Sequence, residues 1–253
     1  LKVTKETSTG DIQIVNKIEG FKQFHNKQFT LSYYVRASTS RDLYIGSGFS
    51  SASGFTSIET TTVPATTSWQ RFTRTFSSTD MSSYTENSSS WLRLEFRLSG
   101  TSGGSVAAGE WIEFTDVQIE FGDTATPFEH RSYGEELTLC HRYYWRNDAE
   151  GPSDYNNLGV GVVSGGNTAF ISINLPQKMR AQPSLSYSSL SDLRTTTVFG
   201  GGGGTPTNVI LGYNHTHRPT IYVTDPSGQT FGQSRLFGFN GTTTGWIAFD
   251  AEL

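Results

Sequence analysis

The chain has 253 residues, of which 34% are hydrophobic and only 17% charged, and its length allows two domains that each bury a core. Abundant Gly, Ser and Thr with 13% aromatics is the make-up of short strands joined by many turns, so the expected class is all-β. A net charge of −4, no apolar run near the roughly eighteen residues of a membrane helix, and no basic-then-apolar leader argue against nucleic-acid binding, membrane insertion and a signal peptide.

Lys2, Lys5, Lys17, Lys22 and Lys27 crowd the start and only Lys178 lies beyond, which reads as a solvated edge that resists strand-to-strand aggregation. Residues 29–38 then alternate, with Phe29, Leu31, Tyr33 and Val35 on one face and Thr30, Ser32, Tyr34 and Arg36 on the other. The Ser/Thr/Gly-rich stretches at 47–62, 77–90 and 99–109 read as surface loops. Between the last two, residues 91–98 alternate again, pointing Leu92, Leu94, Phe96 and Leu98 inward and Trp91, Arg93, Glu95 and Arg97 outward. Ile112 and Phe114 share one parity while Val117, Ile119 and Phe121 take the other, so a β-bulge near Thr115 is needed to keep all five inside.

A helical turn or two is expected within 132–144, where Ser132 stands three before Glu135 and Leu137, Cys140, His141 and Tyr144 recur at helical spacing. The spacing makes Cys140, the only cysteine, a small core residue, and one cysteine excludes an internal disulfide. Further strands are predicted near 158–163, 168–175, 183–188, 193–199, 207–212, 219–224, 235–239 and 243–250. The organisation is therefore a first sandwich over 1–123, a junction over 124–145 and a second sandwich over 146–253.

The outward set Tyr34, Arg36, Trp91, Arg93, Glu95 and Arg97 is the candidate ligand-binding face, since rings stack on the C–H surfaces of sugars while Arg and Glu bond their hydroxyls. The plainer alternative is a charge ladder that keeps the sheet soluble. Asp116 at the bulge is a possible calcium oxygen, with a local hydrogen bond as the default; His215 and His217 are either a metal pair or an exposed turn. Gly200 to Gly204 lack the Lys-Ser/Thr pair of a phosphate cradle and read as a flexible loop. Glu95, Glu113 and Glu120 are the carboxylates that a glycoside-cleaving site would draw on. No cofactor, resident metal or catalytic set is expected.

Four stretches, Asn16-Lys17-Ile18-Glu19-Gly20, Phe29 to Ala37, Thr67 to Phe72 and Phe114 to Glu120, resemble in sequence and order the carbohydrate-binding-module-like jelly roll of bacteriophage tail-fibre proteins. Ala125-Thr126-Pro127-Phe128-Glu129 and Glu136 to Tyr144 are similar to the junction that follows this module, and 175–183 and Asp250 to Leu253 to the domain beyond it. The resemblance implies a jelly roll over 1–123 and a C-terminal sandwich as distal tip. It implies a tail or capsid fibre on the virion surface that recognises host glycans, acts as a homotrimer, and joins other virion proteins through an anchor upstream of Leu1. Phe170, alone among Thr168, Ser172 and Asn174 on its strand face, would be an exposed ring for a neighbouring subunit to cover. A spacer without ligand and a polysaccharide depolymerase are the alternatives.

Overall fold

A computed structural model describes residues 1–7, 10–98, 106–151, 155–197, 204–225, 230–241 and 243–252. The chain is all-β and divides into two compact units, Leu1 to His130 and Arg131 to Glu252.

Unit 1 contains β1 (Lys2–Thr4), β2 (Ile12–Glu19), β3 (Phe29–Ala37), β4 (Arg41–Ser51), β5 (Gly54–Ala65), β6 (Gln70–Phe76), β7 (Trp91–Leu98) and β8 (Trp111–Phe121). They form two four-stranded antiparallel sheets, ordered β1-β8-β3-β6 and β2-β7-β4-β5. The pairs β1/β8, β2/β7, β3/β6 and β4/β5 are those of one long hairpin whose tip is the Ser51–Gly54 turn. Rolling that hairpin so that β3 also meets β8 and β4 also meets β7 gives a jelly roll. Period-two alternation sends Phe29, Leu31, Tyr33, Val35, Leu92, Leu94, Phe96, Ile112 and Phe114 into the space between the sheets, and all are buried. A 3-10 turn at Phe21–Phe24 closes one end by stacking Phe21 on Phe49 at 4.7 Å.

Three expectations for this unit need correction. The loop predicted over 47–62 is mostly the hairpin of β4 and β5, because threonine-rich segments are good strand formers at a sheet edge, where one face stays wet. The bulge at Asp116 (φ 51°) exists, but Val117 and Phe121 remain exposed, since β1 covers only the first residues of β8. Thr30 and Ser32 point outward as expected yet are buried, because Gly122 to Glu129 cross that face as a strap. Thr30 donates to the Gly122 carbonyl (2.8 Å), Arg71 to that of Thr126 (2.6 Å), and Gln118 accepts from the Glu129 amide (2.7 Å). The Thr126 hydroxyl donates to Glu120 (2.6 Å) and, with Gln118, holds that carboxyl below the usual range.

Among the described residues the buried Tyr33 hydroxyl has no hydrogen-bond partner, and burial pushes the phenol upward. Above the ordinary phenol range near about 10, the unfolded chain releases a proton that the native state keeps. Stability should then fall by about 1.4 kcal/mol per pH unit. Tyr33→Phe is expected to remove that slope; urea midpoints at several alkaline pH values check it, and an unchanged slope would assign the loss to another group.

Unit 2 begins with α1 (Tyr133–His141), whose capping box of Ser132 and Glu135 forms as predicted. The helix has no buried residue, so its stripe of Leu137 and Cys140 is exposed rather than part of a core. Its C-terminal end is instead tied down through backbone, by Arg180 N–H to the Arg142 carbonyl and Ala251 N–H to that of Tyr143. β9 (Tyr144–Asp148), inside the expected junction and beyond it, was not predicted. It pairs with β17 (Trp246–Asp250) and, through it, with β12 (Ser184–Tyr187). The larger sheet holds β10 (Asn157–Gly165), β11 (Thr168–Ile173), β13 (Leu193–Thr197), β14 (Asn208–Tyr213), β15 (Thr220–Thr224) and β16 (Ser234–Phe239), ordered β13-β16-β10-β11-β15-β14. Ile171, Val223 and Phe237 of this sheet and Phe249 of the smaller one are among the unit's fully buried core. Phe170, expected as an exposed ring, is half-buried and stacked 4.3 Å from Tyr222 of its own chain.

Candidate functional site

The six candidate residues do not form one surface. Tyr34 and Arg36 lie on β3, on the outer face of the β1-β8-β3-β6 sheet, while Trp91, Arg93, Glu95 and Arg97 lie on β7, on the outer face of the other sheet. Outer faces of a sandwich point in opposite directions, about 10 Å of core apart. Parity told which side chains face solvent and nothing about which sheet carries them. The strap also covers much of the face around Tyr34, whereas the β2-β7-β4-β5 face remains open.

That open face is built in four rows across the strands. Register sets Glu19, Trp91, Ser50 and Phe55 side by side, then Lys17, Arg93, Gly48 and Ser57, then Val15, Glu95, Gly46 and Thr60, then Gln13, Arg97, Tyr44 and Thr62. The two middle positions of β4 are glycines, and that absence of side chains shapes the surface. A Cβ on Gly46 would meet the Tyr44 ring at 3.0 Å, and one on Gly48 would meet the Phe55 ring at 2.4 Å. The rings of Tyr44 and Phe55 therefore lie across bare backbone, Tyr44 half-buried and Phe55 open to solvent. Phe55 is 46% exposed, and Trp91 continues the platform with ring centroids 6.0 Å from Phe55.

Cations interleave with these rings. Arg93 lies 4.2 Å from the Phe55 centroid, Arg97 4.4 Å from that of Tyr44, and Lys17 5.1 Å from that of Trp91. Glu95 is the buried anchor: one oxygen accepts from Arg93 Nη2 at 2.6 Å and the other from Gln13 Nε2 at 2.5 Å. Arg93 and Gln13 are thus restrained, so little side-chain freedom is lost when they bond a ligand. Tyr44, Phe55, Lys17 and Gln13 escaped the sequence reading, although the alternation Tyr44-x-Gly46-x-Gly48 was the available signal: two glycines on one strand face beside an aromatic.

The remaining candidates separate. Glu95 faces away from Glu113 and Glu120, which are seven residues apart on β8, about 20 Å along a strand. Neither arrangement approaches the roughly 5–9.5 Å spacing that paired carboxylates need to cleave a glycoside. Asp116 accepts from the neighbouring Thr115 hydroxyl (2.9 Å), and among the described residues no group of three or more metal-ligating side chains gathers there or elsewhere. His215 and His217 are exposed between β14 and β15, outside any strand, so they do not alternate on a strand face. Of the glycine run only Gly204 is described, bridged to Thr195; Gly200 to Gly203 lie outside the described residues.

No protein-family model matches the chain, and no curated protein does. Among solved structures the chain is similar to a CBM4 structure, at 19% identity and a TM-score of 0.35 over 48% of this chain and 70% of that one. It is similar to the N-terminal cellulose-binding domain of Cellulomonas fimi β-1,4-glucanase C, at 18% and 0.37 over 49% and 79%. It is also similar to the CBM22 tandem domain of Paenibacillus barcinonensis Xyn10C, at 12% and 0.28 over 99% and 95%. Likenesses this remote assign nothing to the chain, and the open face stands on its own side chains.

Proposed function

We propose that the chain is a glycan-recognition protein whose binding surface is the outer face of the β2-β7-β4-β5 sheet. One observation carries this reading: two glycines at alternate positions of β4, Gly46 and Gly48, let aromatic rings lie across its outer face, with arginines stacked over them and Arg93 and Gln13 held by Glu95. A flat ring offers a saccharide's C–H face a place to stack, and Arg93, Arg97, Lys17 and Gln13 supply hydrogen-bond donors around it. Glu95 acts as a positioning residue. The likeness of the motifs between Asn16 and Tyr144 to phage tail fibres supports placing the protein on a virion surface, as a fibre that binds host glycans. Several copies displayed together would then turn weak sites into firm attachment.

Trp91→Ala and Phe55→Ala are each expected to weaken binding to a neutral oligosaccharide identified on a glycan array by about tenfold, roughly 1.4 kcal/mol. Thermal melting of both variants should stay near that of the parent, because both rings lie outside the core. A protein that binds no glycan on the array would favour the spacer reading, for which the internal pairing of Arg93 with Glu95 is the supporting observation.

A further inference from the structure

The row at one end of the opposite face carries a separate group of side chains. Lys2 of β1, Glu113 of β8, Arg36 of β3 and Trp69, the residue before β6, stand side by side across that sheet, and Trp111 lies two residues before Glu113. Arg36 Nε donates to Glu113 at 2.5 Å, and its guanidinium sits 4.9 Å from the Trp69 centroid and 5.4 Å from that of Trp111. The Lys2 ammonium lies 4.5 Å from the Trp111 centroid and 3.8 Å from the Glu113 carboxylate. A shallow hollow of about 370 Å³ opens over Lys2, Arg36, Trp69, Glu113 and Thr115. The strap is bonded farther along the sheet, to Thr30, Arg71, Gln118 and Glu120.

The charges do not cancel. Two cations, Lys2 and Arg36, share one carboxylate, Glu113, so the hollow keeps a positive excess. Glu113 holds Arg36 by Nε, and the guanidinium lies over both indoles. The terminal amino groups make no hydrogen bond among the described residues, which leaves the fork that pairs best with a carboxylate. Trp69 is 43% exposed and offers an indole face beside that fork. We infer that this hollow is a second binding site, for a carboxylate-bearing sugar such as a uronic-acid unit of an acidic polysaccharide. The carboxylate pairs with Arg36 and Lys2 while the ring's C–H face stacks on Trp69. On the other face Lys17, Arg93 and Arg97 are matched by Glu19, Glu95 and Asp11, with Asp11 3.9 Å from Arg97 and Glu95 2.6 Å from Arg93, so no positive excess calls for an acidic group there and the two sites differ in ligand class.

The test titrates the full chain with a galacturonate hexamer and, separately, with the neutral oligosaccharide that the open face binds. Trp69→Ala and Arg36→Gln are each expected to lower affinity for the hexamer by about tenfold or more, to leave neutral binding unchanged, and to keep the parent's melting temperature. Arg36→Lys, which retains charge without the fork, should recover only part of the loss, and added salt should weaken the hexamer alone. No binding of the hexamer to the parent, or equal binding to parent and variants, would overturn the inference. So would loss of hexamer binding in Trp91→Ala instead, because that would assign the acidic sugar to the other face. Failure of neutral binding alone counts only against the function proposed above.

Discussion

Phe96→Ala is expected to destabilise unit 1 by about 3–5 kcal/mol, a large share of a domain's whole stability. The Phe96 ring lies on the inner face of β7, 5.2 Å from Tyr33 and 4.7 Å from Phe114 between centroids, so it joins the two sheets at the middle of the sandwich. Both partners are themselves buried on strands of the facing sheet, and neither can move in to close the gap. The cost therefore combines lost apolar burial with the cavity left behind. Urea denaturation followed by tryptophan fluorescence measures it; a midpoint shift worth under about 1 kcal/mol would mean that the core is not packed as described.

Gly48→Ala should act on fold and site together. The new methyl would lie 2.4 Å from the Phe55 ring and 2.6 Å from the Thr56 carbonyl oxygen. A ring can swing aside, but the carbonyl belongs to the β4/β5 ladder and moves only if the edge strand moves. Overpacking of this kind costs about 1–3 kcal/mol. Because the displaced ring is part of the platform, affinity for a neutral glycan is expected to fall by about tenfold as well. Melting and glycan titration of the same preparation read both effects. An unchanged affinity despite the shifted melt would remove Phe55 from the binding surface.

The strands of the core were legible in sequence because burial on one face writes a period of two into the residues, as at Phe29, Leu31, Tyr33 and Val35. The hairpin of β4 and β5 was not, since Ser, Thr and Gly signal turns when read singly. Only pairing with β7 makes Tyr44 to Ser50 a central strand. β9 was hidden for another reason: Tyr144-Trp145-Arg146-Asn147-Asp148 directly follows a helix whose apolar spacing runs on into Tyr144. At the site, alternation identified Trp91, Arg93, Glu95 and Arg97 as facing outward, but uniting them with Tyr34 and Arg36 needed strand order, which is a non-local property. The same non-locality concealed the strap, as nothing in Thr126 or Gln118 alone shows that they meet.

The jelly roll's outer β2-β7-β4-β5 face as a glycan-binding surface is the central claim, and shift mapping by NMR of the isotope-labelled chain tests it most directly. On titration with a bound neutral oligosaccharide, the Trp91 indole N–H, the side-chain amide of Gln13 and the backbone amides of Gly46 and Gly48 should shift progressively together, with Trp69 and Trp111 unmoved. Saturable binding that shifts resonances only elsewhere, with Trp91, Gly46 and Gly48 in place, would contradict it.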